Sequence, residues 1–140
     1  MLRSCKYCGR IHDPRQECPQ KKMSAERYMY RCGTKADRFR RTNAWTAKSL
    51  MVRDRDRFMC LCCAAQLDGT VRVVETEGLS VHHIVPLEED FELRLDETNL
   101  ITVCSVHHEM CEKQQIMREV QRELVRRSIE RRNKIAQPVV

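Results

Sequence analysis

The chemistry available to this 140-residue chain lies in five histidines and nine cysteines, and none of the histidines stands alone. One group reads Cys5-x2-Cys8-x3-His12-x5-Cys18. A second pairs Cys60-x2-Cys63 with Cys104-x2-His107, and the third sets the adjacent His82-His83 against His108. Zinc takes four soft or borderline ligands in a tetrahedron, and a Cys-x2-Cys turn supplies two of them from one tight loop. The first two groups therefore predict two structural zinc ions. Cys32 is an alternative to His12 in the first. In the second, Cys62 interrupts the leading pair, and Cys104, His107 and Cys111 share one helical face at i, i+3, i+7, which makes Cys111 a reserve ligand. The third group is rich in imidazole, whose unperturbed pKa of about 6.5 suits proton transfer near neutrality, and it reads as chemistry, not scaffold.

These residues need elements to hold them. Residues 1–22 are rich in Cys, Gly and Pro without periodicity, so only a metal staple would offset their ordering entropy. Residues 23–41 read as a basic linker with a turn at Cys32-Gly33. From Thr42 or Asn43, both good caps, a helix is expected to about Arg57, with Trp45, Ser49 and Val52 on one face. Val71–Val74 and Leu79–Val85 read as short strands, the second ended by Pro86, and Glu88–Glu97 as an acidic loop. Leu100–Val103 is a third strand-like run. A helix from about Ser105 is expected to continue toward Asn133, with Ile116, Val120 and Leu124 as its apolar stripe. Arg118, Arg122 and Arg126 repeat the same spacing on a neighbouring face. The fold class is α+β, with a core over 42–115 and a basic helix and tail over 116–140.

Val81-His82-His83-Ile84-Val85-Pro86, then the acidic loop, Asn99-Leu100 and Cys104-x2-His107-His108 together resemble the HNH endonucleases, whose active site is a ββα-metal unit. The likeness covers roughly 42–115. It implies His83 as general base, His82 and His108 as ligands of a catalytic divalent metal, and Asn99 as the residue that braces the hairpin loop and orients the base. Glu112, four residues past His108, would share its helical face and is a possible third ligand or water-mediated contact. Phosphodiester hydrolysis needs a base for water, a cation for the developing charge, and help for the leaving 3′ oxygen. An imidazole-rich site without Asp admits Mn²⁺, Ni²⁺ or Co²⁺ readily, as well as Mg²⁺. His82 and His83 alternate across a flat strand, so an early strand end is required for both to serve one cleft. The first cluster resembles a zinc knuckle with altered spacing about the His, and the second is similar to a zinc ribbon. The Cys-Lys-Tyr-Cys-Gly start and basic tail resemble HNH proteins encoded in phage DNA-packaging regions, which implies DNA and the packaging terminase as partners.

Composition agrees with a small intracellular reading. The charged fraction is 33%, the aromatic fraction only 5%, and the net charge +6. Residues 60–112 carry 2 basic against 11 acidic side chains, whereas residues 113–140 carry 8 against 3 and residues 23–59 carry 10 against 4. The basic flanks suit a polyanion, and the arginine stripe reads as a phosphate rail, its alternative being a helix laced by Glu119, Glu123 and Glu130. No apolar run approaches the ~20 residues of a membrane span, and Met1–Cys5 does not read as a signal peptide, so the host cytoplasm is expected. The rival function is a non-catalytic zinc module that binds DNA or a partner on the same fold.

Overall fold

The computed structural model describes residues 3–13, 18–23, 26 and 33–136. The chain divides into two compact units, Met1–Arg41 and Thr42–Val140.

In the first unit, β1 (Arg3–Ser4) and β2 (Ile11–His12) pair antiparallel, with Arg3 opposite His12. The turn between them closes through Cys5 N–H to the Arg10 carbonyl at 2.9 Å and Gly9 N–H to the Cys5 carbonyl at 2.8 Å. Gly9 has φ +71°, a left-handed conformation that glycine adopts without strain. The segment expected as a basic linker carries a helix, α1 (Lys35–Arg40). Thr34 caps it in a capping box: its hydroxyl accepts from Asp37 N–H at 3.1 Å, and the Asp37 carboxylate accepts from Thr34 N–H at 2.9 Å. Cys32 lies outside the described residues.

The second unit is built on a hairpin of β3 (Ser80–His83) and β4 (Leu100–Val103), with Ser80 opposite Val103 and His83 opposite Leu100. Directly opposed residues share a face, so Val81, His83, Leu100 and Thr102 point one way and His82, Ile101 and Val103 the other. The first face packs on α2 (Asn43–Arg55), where Val52, Val81 and Leu100 are buried with Trp45 against them. Thr42 caps that helix by accepting from Trp45 N–H at 3.2 Å. The second face meets the main core, which includes Ile84, Ile101, Val103, Ile116 and Val125. There the hairpin packs with α3 (Leu61–Ala64), α4 (Ser105–Glu112) and α5 (Arg118–Ala136). Short 3₁₀ turns, Phe91–Leu95 and Glu97–Asn99, carry the acidic loop back to β4.

Three expectations need correction. Val71–Val74 is no strand: Val71 is 87% and Val74 63% exposed, and no half-buried pleated surface is offered for their β-propensity to use. The helix from Ser105 does not run through to Asn133. It ends at Glu112, where Gln114 takes φ +57° and the amides of Gln114 and Gln115 bond the carbonyls of Cys111 and Met110, a Schellman-type stop. The buried face of α5 is Gln121, Val125 and Ser128, while Val120 is 40% exposed.

A buried ion pair explains that last rotation. Arg55 donates to the Asp56 carboxylate at 2.7 and 2.8 Å and to the carbonyls of Glu97 and Leu100, both at 2.8 Å. Asp56 also accepts from Thr102 N–H at 3.0 Å and from the Ser128 hydroxyl at 2.8 Å. The α5 face that meets this network must therefore be polar in part.

Candidate metal centres and active site

Cys60, at the N-cap of α3, and Cys63 within it converge with Cys104 and His107 at the start of α4. His107 Nδ1 lies 3.4, 3.3 and 3.3 Å from the sulfurs of Cys60, Cys63 and Cys104, and the Cys63 and Cys104 sulfurs are 3.9 Å apart. A tetrahedral zinc with ordinary bond lengths requires about 3.6 Å for N···S and about 3.8 Å for S···S, so the donors fit that ion. His107 Nε2–H donates to the Asp68 carbonyl at 3.0 Å, which leaves the Nδ1 lone pair for the cluster. Gly69, beside Asp68, has φ +87°, and a Cβ there would meet the Met110 sulfur at 2.9 Å. The turn that supplies the carbonyl is thus fixed by close packing on α4.

The electrostatics of this cluster also call for a cation. The Cys62 thiol, helped by the amides of Cys63 and Cys104, pulls Cys60 down to about 4 despite burial. Burial first, then the neighbouring Cys60, pushes Cys63 up to about 12. Thiols this close cannot all ionise unless a cation joins them. Cys62 is pushed far up by its contacts with Cys111 and Cys60, so it remains a thiol. Neither Cys62 nor Cys111 belongs to the four-donor group.

Near the N-terminus, Cys5, Cys8, His12 and Cys18 also bring one donor atom each within 4.8 Å of one another. His12 Nδ1 donates to the Asp13 carbonyl at 3.2 Å, and its Nε2 is buried with no hydrogen-bond partner among the described residues. A buried acceptor left open beside three thiols suits a metal ion. The amides of Cys8 and Tyr7 draw Cys5 down to about 6, favouring its thiolate.

The third group forms where β3 ends against α4. His82, His108 and Glu112 place donor atoms within 4.8 Å of one another. The rings of His82 and His108 meet edge to face at 5.1 Å, and His108 Nε2 lies 3.7 Å from Glu112 Oε1. Burial, followed by the charges of His108, His83 and Arg118, holds His82 down to about 4, so it is neutral and able to coordinate at physiological pH.

His83 alternates to the other side of the strand from His82, but β3 ends at His83, the early strand end that one cleft requires, and the charge of His83 still acts on His82. Its ring stacks on Trp45 at 4.7 Å with an interplanar angle of 22°. His83 Nε2–H donates to the Arg94 carbonyl at 3.1 Å, which assigns the lone pair to Nδ1. Asn99 holds the loop that carries Arg94: its Oδ1 accepts from Val85 N–H at 2.7 Å, and its Nδ2 donates to the carbonyls of Val85 at 3.1 Å and Leu93 at 3.4 Å. Trp45 and the Arg94 carbonyl are site features with no sequence signal, one being a tertiary contact and the other main chain.

The arginine stripe of α5 is partly spent. Arg118 pairs bidentately with Glu89 at 2.9 and 2.6 Å, and Arg126 pairs with Glu123 and Glu130. Arg122 has no ion pair among the described residues and borders a cavity of about 450 Å³ with Arg126, Asn99 and Val125. No helix among the described residues is long and apolar enough to cross a membrane.

Residues 60–114 match the family model of the HNH endonucleases. No curated protein and no solved structure matched the chain. The molecule is thus a mixed helix-and-strand protein with a small sheet, a segment similar to the HNH endonuclease domain, and a Cys/His cluster near the N-terminus.

Proposed function

We propose that the protein is a metal-dependent endonuclease of the HNH type that hydrolyses phosphodiester bonds of DNA. The observation that carries this reading is the pairing of a His82, His108 and Glu112 donor group with a neighbouring imidazole, His83, whose tautomer is set by the Arg94 carbonyl. His82 and His108 would hold a divalent cation, with Glu112 as a third or water-mediated contact. When bound, the cation neutralises charge on the phosphate and eases departure of the 3′ oxygen. His83 Nδ1 takes the proton of the attacking water, and its Nε2–H bond to Arg94 strengthens as the ring gains charge. Asn99 keeps that carbonyl in place by tying Val85 to Leu93.

Zinc at Cys60, Cys63, Cys104 and His107 is the structural ion of this core, and zinc at Cys5, Cys8, His12 and Cys18 orders the N-terminal unit. Arg118, Arg122 and Arg126 contact DNA phosphates. Arg122 is the member with no competing carboxylate among the described residues, while Arg118 and Arg126 must exchange theirs for phosphate. On the likeness of its start and basic tail to phage packaging-region HNH proteins, the protein acts beside the terminase in the host cytoplasm. The test is nicking of supercoiled plasmid in Mn²⁺ with and without EDTA. Nicking that EDTA abolishes supports the enzyme. DNA binding without nicking in any divalent metal would favour a zinc-dependent binding module on the same fold.

A further inference from the structure

We infer that the cavity between the β3–β4 loop and α5 is a subsite for one unpaired nucleotide of DNA, its phosphate held by Arg122 and its base laid on an apolar wall. The subsite rests on DNA being the substrate, as proposed above, and narrows which DNA is preferred. The cavity measures about 450 Å³, within the roughly 300–1,000 Å³ of pockets that take small ligands. Val85 and Leu93 line it from the loop, and Val125 and Ile129 from α5. Val125 is buried, but Val85, Leu93 and Ile129 are only half-buried, so the wall keeps apolar surface that a planar ring would cover.

The polar lining selects the rest of the ligand. Asn99 spends its amide on Val85 and Leu93, and the Thr98 hydroxyl donates to Asp96 at 2.7 Å. Arg126 and Glu130, which also line the cavity, pair with each other. Arg122 is exposed and has no ion pair or hydrogen bond among the described residues. The lining side chains therefore offer one uncommitted cation beside an apolar wall, and no uncommitted group to read a base edge. That complements a phosphate joined to the ring face of any base. Bases of an intact duplex are stacked and paired, so only an unpaired nucleotide can enter. The cavity also borders the loop of the proposed active site: Leu93 directly precedes Arg94, whose carbonyl accepts from His83 Nε2–H at 3.1 Å.

The test is binding of the full-length, zinc-loaded protein, followed by fluorescence anisotropy with no divalent metal added. The probes are a fluorescein-labelled duplex carrying one bulged 2-aminopurine nucleotide and the same duplex carrying one bulged abasic nucleotide. The 2-aminopurine bulge should bind roughly 10-fold more tightly than the abasic bulge, which keeps the phosphates but lacks the base. Leu93→Gln and Ile129→Gln, at wild-type zinc content and melting temperature, should bring the two bulges within about twofold of each other. Arg122→Gln should weaken binding of the 2-aminopurine bulge by roughly 10-fold. The subsite is overturned if wild type binds both bulges equally, a comparison that needs no variant to fold. It is also overturned if both wall variants keep the wild-type preference, or if Arg122→Gln binds the 2-aminopurine bulge as wild type does. Equal binding by a protein that nicks plasmid removes the subsite and leaves the endonuclease reading standing. A 10-fold preference in a protein that nicks in no metal upholds the subsite and removes the endonuclease reading.

Discussion

Replacing Asp56 by alanine removes the centre of the only fully buried ion pair among the described residues, and its consequence can be worked from the contacts. Both side chains are fully shielded from solvent. Asp56→Ala strips two bonds from the Arg55 guanidinium, leaves Thr102 N–H without its acceptor, and leaves the Ser128 hydroxyl only its longer bond to the Arg55 carbonyl at 3.3 Å. The bonds from Arg55 to the carbonyls of Glu97 and Leu100 remain, and the half-buried Glu97 carboxylate, 3.9 Å from the guanidinium, neutralises its charge only in part. Breaking a buried pair from one side costs about 3–5 kcal/mol, because the surviving charge is stranded in low dielectric. That is a large share of the roughly 5–15 kcal/mol stability of an ordinary domain. With a urea slope of about 2 kcal/mol per molar, the unfolding midpoint should fall by roughly 2 M. The assay is urea unfolding followed by far-UV circular dichroism at fixed zinc. Asp54→Ala is the control, since Asp54 is exposed and should change stability by less than about 0.5 kcal/mol. An Asp56→Ala protein within about 1 kcal/mol of wild type would refute the claim that this network joins α2, β4 and α5.

Two clusters predict two tightly held zinc ions per chain by metal analysis; a single zinc would remove the N-terminal site and leave the core site intact. Cys104→Ser should lose the core zinc and most cooperative unfolding, because a structural zinc site contributes folding free energy directly. A variant that kept its zinc and melted like wild type would contradict the ligand assignment. The acid limb of stability should report Glu123, whose carboxyl Arg126 and Arg127 hold down to about 2. Its value is lower folded than unfolded, so the contribution is complete above pH of about 4.5 and fades as pH falls toward 2. Glu123→Gln should flatten the melting-temperature curve in that window, and about 1 M salt should flatten it in wild type. Equal slopes for variant and wild type, with or without salt, would show that the pairs contribute nothing.

Local signals were legible where chemistry is set by spacing. Thr42 as a cap, the start of α2 and the Leu100–Val103 strand all follow from neighbouring residue types. The donor groups are legible for the same reason, since Cys-x2-Cys and Cys-x2-His turns bring ligands together within one turn. What escaped depends on partners distant in sequence. The stop after Glu112 uses a glutamine at the left-handed position where glycine or asparagine is the usual marker, so nothing local announces it. The apolar stripe drawn through Ile116, Val120 and Leu124 holds at Ile116 and Leu124 but breaks at Val120, because α5 turns a partly polar face to Arg55 and Asp56, whose own burial is invisible in a run of alternating Arg and Asp. The site's geometry is hidden likewise: a carbonyl from Arg94 and a ring from Trp45 reach His83 across the fold, and neither contact has a residue pattern.

The most direct test is a plasmid-nicking titration over Mn²⁺ with His83→Ala and His108→Ala, DNA binding being measured in parallel. His83→Ala removes proton transfer, which is typically worth about 10²–10⁴-fold, and should lose nicking by that order. It should still fold, keep its zinc and bind DNA, and no concentration of Mn²⁺ should restore it. His108→Ala should lose activity through weaker metal binding and recover part of it at high Mn²⁺. A His83→Ala protein that nicks at the wild-type rate would contradict the account.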